Sequence, residues 1–111
     1  MGATSAKALA RRDRGFAEFE RKAGQAASML RLLANENRLL VLCRLVAAGE
    51  LSVSELAAAV QLSQSALSQH LAKMREDGLL STRREAQTVY YRIADPTVAR
   101  VLALLKAIYC P

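Results

Sequence analysis

Two cysteines, Cys43 and Cys110, and one histidine, His70, are the residues of this chain best suited to covalent or metal chemistry. Two thiols can be joined and separated by exchange. Two thiolates can also hold a soft metal, provided that a third ligand is supplied. Either reading competes with a plainer one, in which Cys43 is a small buried hydrophobe on an apolar stripe and Cys110 a loose terminal thiol. No C-x-x-C, Gly-rich phosphate loop or recognisable nucleophile–base–acid set is present. No enzyme is expected, and no cofactor is called for. His70 has no second histidine and no carboxylate at ligand spacing on its helix face, so it reads as a packing or phosphate-contacting residue and no metal is expected.

A second set of residues suits recognition rather than reaction. Gln64, Ser65, Ser68 and Gln69 form a short, polar, nearly uncharged row, with Leu67, Leu71 and Met74 on the opposite side. Amides and hydroxyls of this kind can hydrogen-bond base edges in a major groove, and small neighbours allow close approach. Downstream, Arg83, Arg84 and Arg92, with Gln87 among them, supply cations for phosphates or the minor groove. The whole chain has 16 Lys+Arg against 10 Asp+Glu, a formal charge of +6, which suits a polyanionic partner.

These residues need elements to position them. At 111 residues and 52% hydrophobic content, with aromatics at only 5%, the chain is expected to form one globular domain with a Leu/Val/Ala/Ile core, mainly α-helical. Residues 1–15 read as a basic, flexible N-terminal arm, and 16–111 as the folded domain. Helical spacing of Phe16, Phe19, Ala23, Ala26, Ala27, Leu30 and Leu33 predicts a first helix. Asn35 caps a second, which Gly49 ends. Ser52 with Glu55 forms a capping box for a short third helix, and a tight connection leads to a fourth from Ser63 or Gln64 to about Glu76.

After Asp77-Gly78 the period changes. Leu80–Arg84 and Thr88–Ile93 read as the strands of a hairpin turning at Glu85-Ala86-Gln87. Asp95-Pro96 then opens a last helix. Two helices across a short turn, followed by a hairpin, make a winged helix-turn-helix. The apolar stripes of the first and last helices predict a homodimer, and a twofold dimer predicts double-stranded operator DNA with an inverted repeat. No apolar run is long enough for a membrane helix and no secretory signal is seen, so the expected location is cytoplasmic, with no membrane partner. A permanent disulfide is not expected there.

Three stretches resemble the ArsR/SmtB family of repressors: Leu33-Ala34-Asn35-Glu36-Asn37-Arg38-Leu39, Ser63–Leu71, and Asp77–Leu80 followed by Arg83–Tyr91. The resemblance covers about residues 25–110. Where members that bind arsenic carry two cysteines, this chain reads Glu50-Leu51-Ser52-Val53-Ser54-Glu55-Leu56, so that thiolate site is lost. Where zinc-binding members begin their last helix with D-x-H, it reads Asp95-Pro96-Thr97, with no histidine following in the helix.

Cys43 and Cys110 instead match the cysteine pattern of the persulfide-sensing branch, of BigR/SqrR and HlyU type. The resemblance implies a transcriptional repressor with a Cys43–Cys110 dithiol switch, bound to DNA when reduced and released when a persulfide or polysulfide inducer bridges the thiols. A plain disulfide needs Cα atoms about 4.4–6.8 Å apart, and added sulfur atoms extend that reach. Arg44, Lys106 and Tyr109 are the sequence neighbours able to lower a thiol pKa. Repressors of the same family that respond to peroxide or to a thiolate-bound metal are the alternatives.

Overall fold

The computed structural model describes residues 6–110, with the side chains of 7–13 left aside. Five helices and three strands follow in the order α1 (Ala6–Leu33), α2 (Glu36–Ala48), β1 (Leu51–Ser52), α3 (Val53–Val60), α4 (Gln64–Glu76), β2 (Leu80–Glu85), β3 (Thr88–Ile93) and α5 (Pro96–Tyr109). The fold is a winged helix-turn-helix, mainly helical with a small antiparallel sheet.

The chain divides into two compact units, and the division falls between Leu32 and Leu33 rather than at residue 15. The first unit is essentially α1. Its helix already runs at Ala6, so residues 6–15 are helical where the sequence suggests an arm. The physical reason is composition: Ala6-Lys7-Ala8-Leu9-Ala10-Arg11-Arg12 are nearly all strong helix formers, and Gly15 alone costs only about 1 kcal/mol. Residues 1–5 of the expected arm lie outside the described residues. Phe16, Phe19 and Leu30 of α1 are exposed.

The second unit owes its boundaries to local chemistry. Asn35 Oδ1 accepts from the Arg38 backbone N–H at 3.1 Å and starts α2. Gly49 ends it with φ at 86°, a conformation that glycine adopts without penalty. Ser52 and Glu55 form a complete capping box on α3: Ser52 Oγ accepts from the Glu55 N–H at 3.2 Å, and Glu55 Oε1 accepts from the Ser52 N–H at 2.9 Å. Gln61, left-handed at φ 58°, turns the chain towards Ser63, which caps α4. Asp95 caps α5, with Pro96 at its first position.

The core lies among these helices and the base of the hairpin. Val41, Leu42 and Leu45 of α2, Leu56 of α3, Leu67, Leu71 and Met74 of α4, Leu80 of β2, and Val98 and Leu102 of α5 are buried. Each such Leu contributes about 2 kcal/mol by leaving water. The sheet order is β1-β3-β2, all antiparallel, with Arg83 opposite Tyr90 and Ser52 opposite Tyr90 on its other side. β1 was not expected from sequence: two residues are too few for an alternating pattern to register.

Candidate nucleic-acid interface and thiol pair

The helix-turn-helix is α3 and α4. Leu67, Leu71 and Met74 turn inward from α4, while Gln64, Ser65, Ser68 and Gln69 are exposed, as their spacing predicts. Ser63 Oγ accepts from the Ala66 N–H at 3.2 Å, which fixes the first turn of α4. Gln64 Nε2 lies 3.5 Å from Ser54 Oγ of α3, so one of the polar residues also spans the two helices. His70 is half-buried at the edge of the exposed row.

At its far end, α4 is tied to α2. Arg38 Nη2 donates to Asp77 Oδ2 at 2.9 Å, and the two side chains are only 13% and 19% exposed. Asp77 caps the C-terminus of α4, so this pair fixes the helix where its last carbonyls end.

The wing is the β2–β3 hairpin, closed by Ala86 and Gln87, with Ala86 at φ 55°. Gln87 is exposed in that turn. Arg84 is exposed and, among the described residues, makes no ion pair. Arg92 donates from Nε to Ser81 Oγ at 3.3 Å. Arg83 is held on all sides. It donates from Nη2 and, at 3.2 Å, from Nε to the carboxylate of Glu50, and from Nη1 to Glu85 Oε2 at 2.9 Å. Its guanidinium carbon sits 4.7 Å from the centroid of the Tyr90 ring. These hydrogen bonds push the Glu50 carboxyl below its ordinary value and the Arg83 guanidinium above its own.

Glu50 and Tyr90 were not singled out as functional from sequence. Nothing local marks Glu50, whose partner lies on β2, the fourth element after it. Asp77 was noted only as part of a turn, although it anchors α4.

Both cysteines are free thiols, Cys43 half-buried on α2 and Cys110 exposed as the C-cap of α5. α2, which carries Cys43, packs against α5, which Cys110 ends. Burial pushes the Cys43 thiol up, a negative charge on Cys110 pushes it further, and the Lys106 ammonium pulls it down. Of the three neighbours named from sequence, Lys106 is the one whose charge acts on Cys43.

A capped helix-turn-helix with a polar outward row, followed by a basic hairpin, defines a winged-helix transcriptional regulator. Residues 35–82 match the model of the bacterial regulatory proteins of the arsR family. The transcriptional activator HlyU of Vibrio cholerae is 50% identical over 93 residues, 84% of this chain and 85% of that protein. The biofilm growth-associated repressor of Agrobacterium fabrum is 44% identical over 92 residues, 83% of this chain and 78% of that protein. Reduced HlyU from Vibrio cholerae superposes with a TM-score of 0.76 at 49% identity, covering 85% of this chain and 98% of that one. The chain belongs to the arsR family of bacterial transcriptional regulators, and it is not an enzyme.

Proposed function

We propose that this chain is a cytoplasmic, homodimeric repressor that binds an inverted-repeat operator when Cys43 and Cys110 are reduced and releases it when a sulfur bridge joins them. The observation that supports the switch is the packing of α2, which carries Cys43, on α5, which Cys110 ends, with the charges of Cys110 and Lys106 acting on the Cys43 thiol. α2 also carries Arg38, whose partner Asp77 caps α4. A bridge that pulls α2 towards the end of α5 therefore acts on an element tied directly to the DNA-reading helix.

The operator is read by Gln64, Ser65, Ser68 and Gln69 in the major groove, with His70 at the edge of the row. The wing supplies Arg84, Arg92 and Gln87 to the backbone, with Arg83 midway along its first strand. Dimerisation is supported by the exposed apolar residues. Leu104, Ile108 and Tyr109 of α5 are 61%, 57% and 78% exposed, and Phe16, Phe19 and Leu30 of α1 are exposed too. A second copy of the chain would cover both sets.

The bridging chemistry balances without an added oxidant. The exposed Cys110 thiolate takes one sulfane sulfur from each of two persulfides in turn, releasing two thiols. The Cys43 thiolate then attacks the sulfur next to Cys110 Sγ and expels hydrosulfide. Two thiols and two persulfides thus give a trisulfide bridge, two thiols and hydrogen sulfide.

The test is fluorescence-anisotropy binding to a duplex from the protein's own promoter region, before and after glutathione persulfide. The expected result is tight binding when reduced and a loss of at least tenfold after treatment, with Cys43→Ser staying bound. Unchanged binding would remove the thiol switch and turn the search to a metal or a protein partner. Loss with peroxide alone would make the signal general oxidation.

A further inference from the structure

We infer that Arg83 is a positioning residue that straps the wing to the start of the helix-turn-helix through Glu50, leaving the DNA backbone to wing cations that have no carboxylate partner, Arg84 foremost. The inference rests on the operator-binding reading above and refines it.

The geometry follows from strand alternation. Ser81, Arg83 and Glu85 lie on one face of β2, and their partners Arg92, Tyr90 and Thr88 share that face on β3. Ser52 of β1 lies opposite Tyr90 on its other side, and Glu50 is two residues before it. Arg83 therefore reaches from β2 over the Tyr90 ring on β3 to the chain leading into β1. Its fork takes Glu50 through Nε and Nη2 and Glu85 through Nη1. Every guanidinium nitrogen has a carboxylate partner. Glu50 stands between Gly49, which ends α2, and Ser52, which caps α3. The strap therefore sets the hairpin against the first helix of the DNA-reading pair.

Arg83 and Arg92 face Glu50 and Glu85, and the charge of Arg92 also acts on Glu50. Arg83 would have to leave two carboxylates and an aromatic face to reach a phosphate. Arg84 lies on the other face, opposite Val89, and makes no ion pair among the described residues.

The experiment measures promoter-duplex binding by the full-length reduced protein across a salt series, alongside hydrogen exchange of the free protein. Arg84→Gln should reduce the slope of log K against log salt by about 0.9, the loss of one phosphate contact. Arg83→Gln should leave the slope unchanged and lower affinity by only a few-fold at every salt. Arg83→Lys should behave like Arg83→Gln, because an ammonium keeps a phosphate contact but cannot form the two-sided fork.

In the free protein, Arg83→Lys and Glu50→Gln should both speed exchange of the β2–β3 amides, and Arg84→Gln should not. An Arg83→Gln slope reduced as much as that of Arg84→Gln would overturn the inference. So would wing exchange in Arg83→Lys equal to wild type. A wild-type protein with no affinity for duplex DNA would instead sink the operator reading, while the exchange measurement still decides the strap.

Discussion

Arg38 and Arg83 each reach a carboxylate distant in the chain, Asp77 and Glu50, yet the surroundings of the two pairs differ. The Arg38 and Asp77 side chains are 13% and 19% exposed, whereas Arg83 and Glu50 are 43% and 33% exposed. In the first pair, water has largely been removed, and loss of Arg38 leaves the part-buried Asp77 carboxylate with only the longer contact to Lys73, at 3.8 Å. In the second, solvent takes over as soon as a partner goes. The inner pair therefore bears on whether the domain holds together, and the outer pair on how the wing is aimed. The largest effect expected from breaking this contrast is in Arg38→Ala, which should lower unfolding free energy by about 2 kcal/mol, read from urea denaturation. Arg83→Gln should leave the urea midpoint almost unmoved. Equal losses in the two variants would erase the distinction.

How much of this was legible in the sequence follows from the range of each interaction. The caps at Asn35, Ser52, Ser63 and Asp95 act within three residues, and their residue types announce them. The inward row of Leu67, Leu71 and Met74 follows from helical spacing, and so does the polar row opposite. The Glu50–Arg83 strap has no such signature, because register between β1, β3 and β2 decides which charges meet. Arg83 was therefore expected to face DNA, when its guanidinium is already taken up by Glu50 and Glu85. The start of α1 was misjudged for the opposite reason: charge suggested an arm, while the alanines of residues 6–10 favour helix. Pairing of Cys43 with Cys110 came from family resemblance alone, since nothing in either local sequence points to the other.

Ser52 sharpens the comparison from between the two arginine pairs. It is part of the sheet row that Arg83 crosses, and its hydroxyl accepts from the Glu55 N–H at 3.2 Å. That N–H is in the first turn of α3 and has no carbonyl partner within the helix. Ser52→Ala should therefore cost about 1 kcal/mol in the same urea experiment, less than Arg38→Ala because no charge is lost. A Ser52→Ala protein as stable as wild type would mean that β1 alone holds the start of α3.

The same difference of surroundings separates the two thiols, with the smallest expected effect. Cys43 is half-buried, and burial, with the charge of Cys110, holds its pKa above that of an ordinary thiol, while Lys106 works against them. A thiol that ionises less readily in the folded protein favours the folded state below the ordinary thiol pKa. That advantage is lost as pH rises through the folded value. Iodoacetamide alkylation followed by mass spectrometry reads the same shift directly, because only the thiolate reacts. At neutral pH Cys110 should alkylate faster than Cys43. The Cys43 profile should move to higher pH in Lys106→Ala and to lower pH in Cys110→Ser, each change removing one opposing charge. A Cys43 profile unmoved by either substitution would mean that the two thiols do not sense each other in the reduced protein, and that bridging them requires α5 to move first.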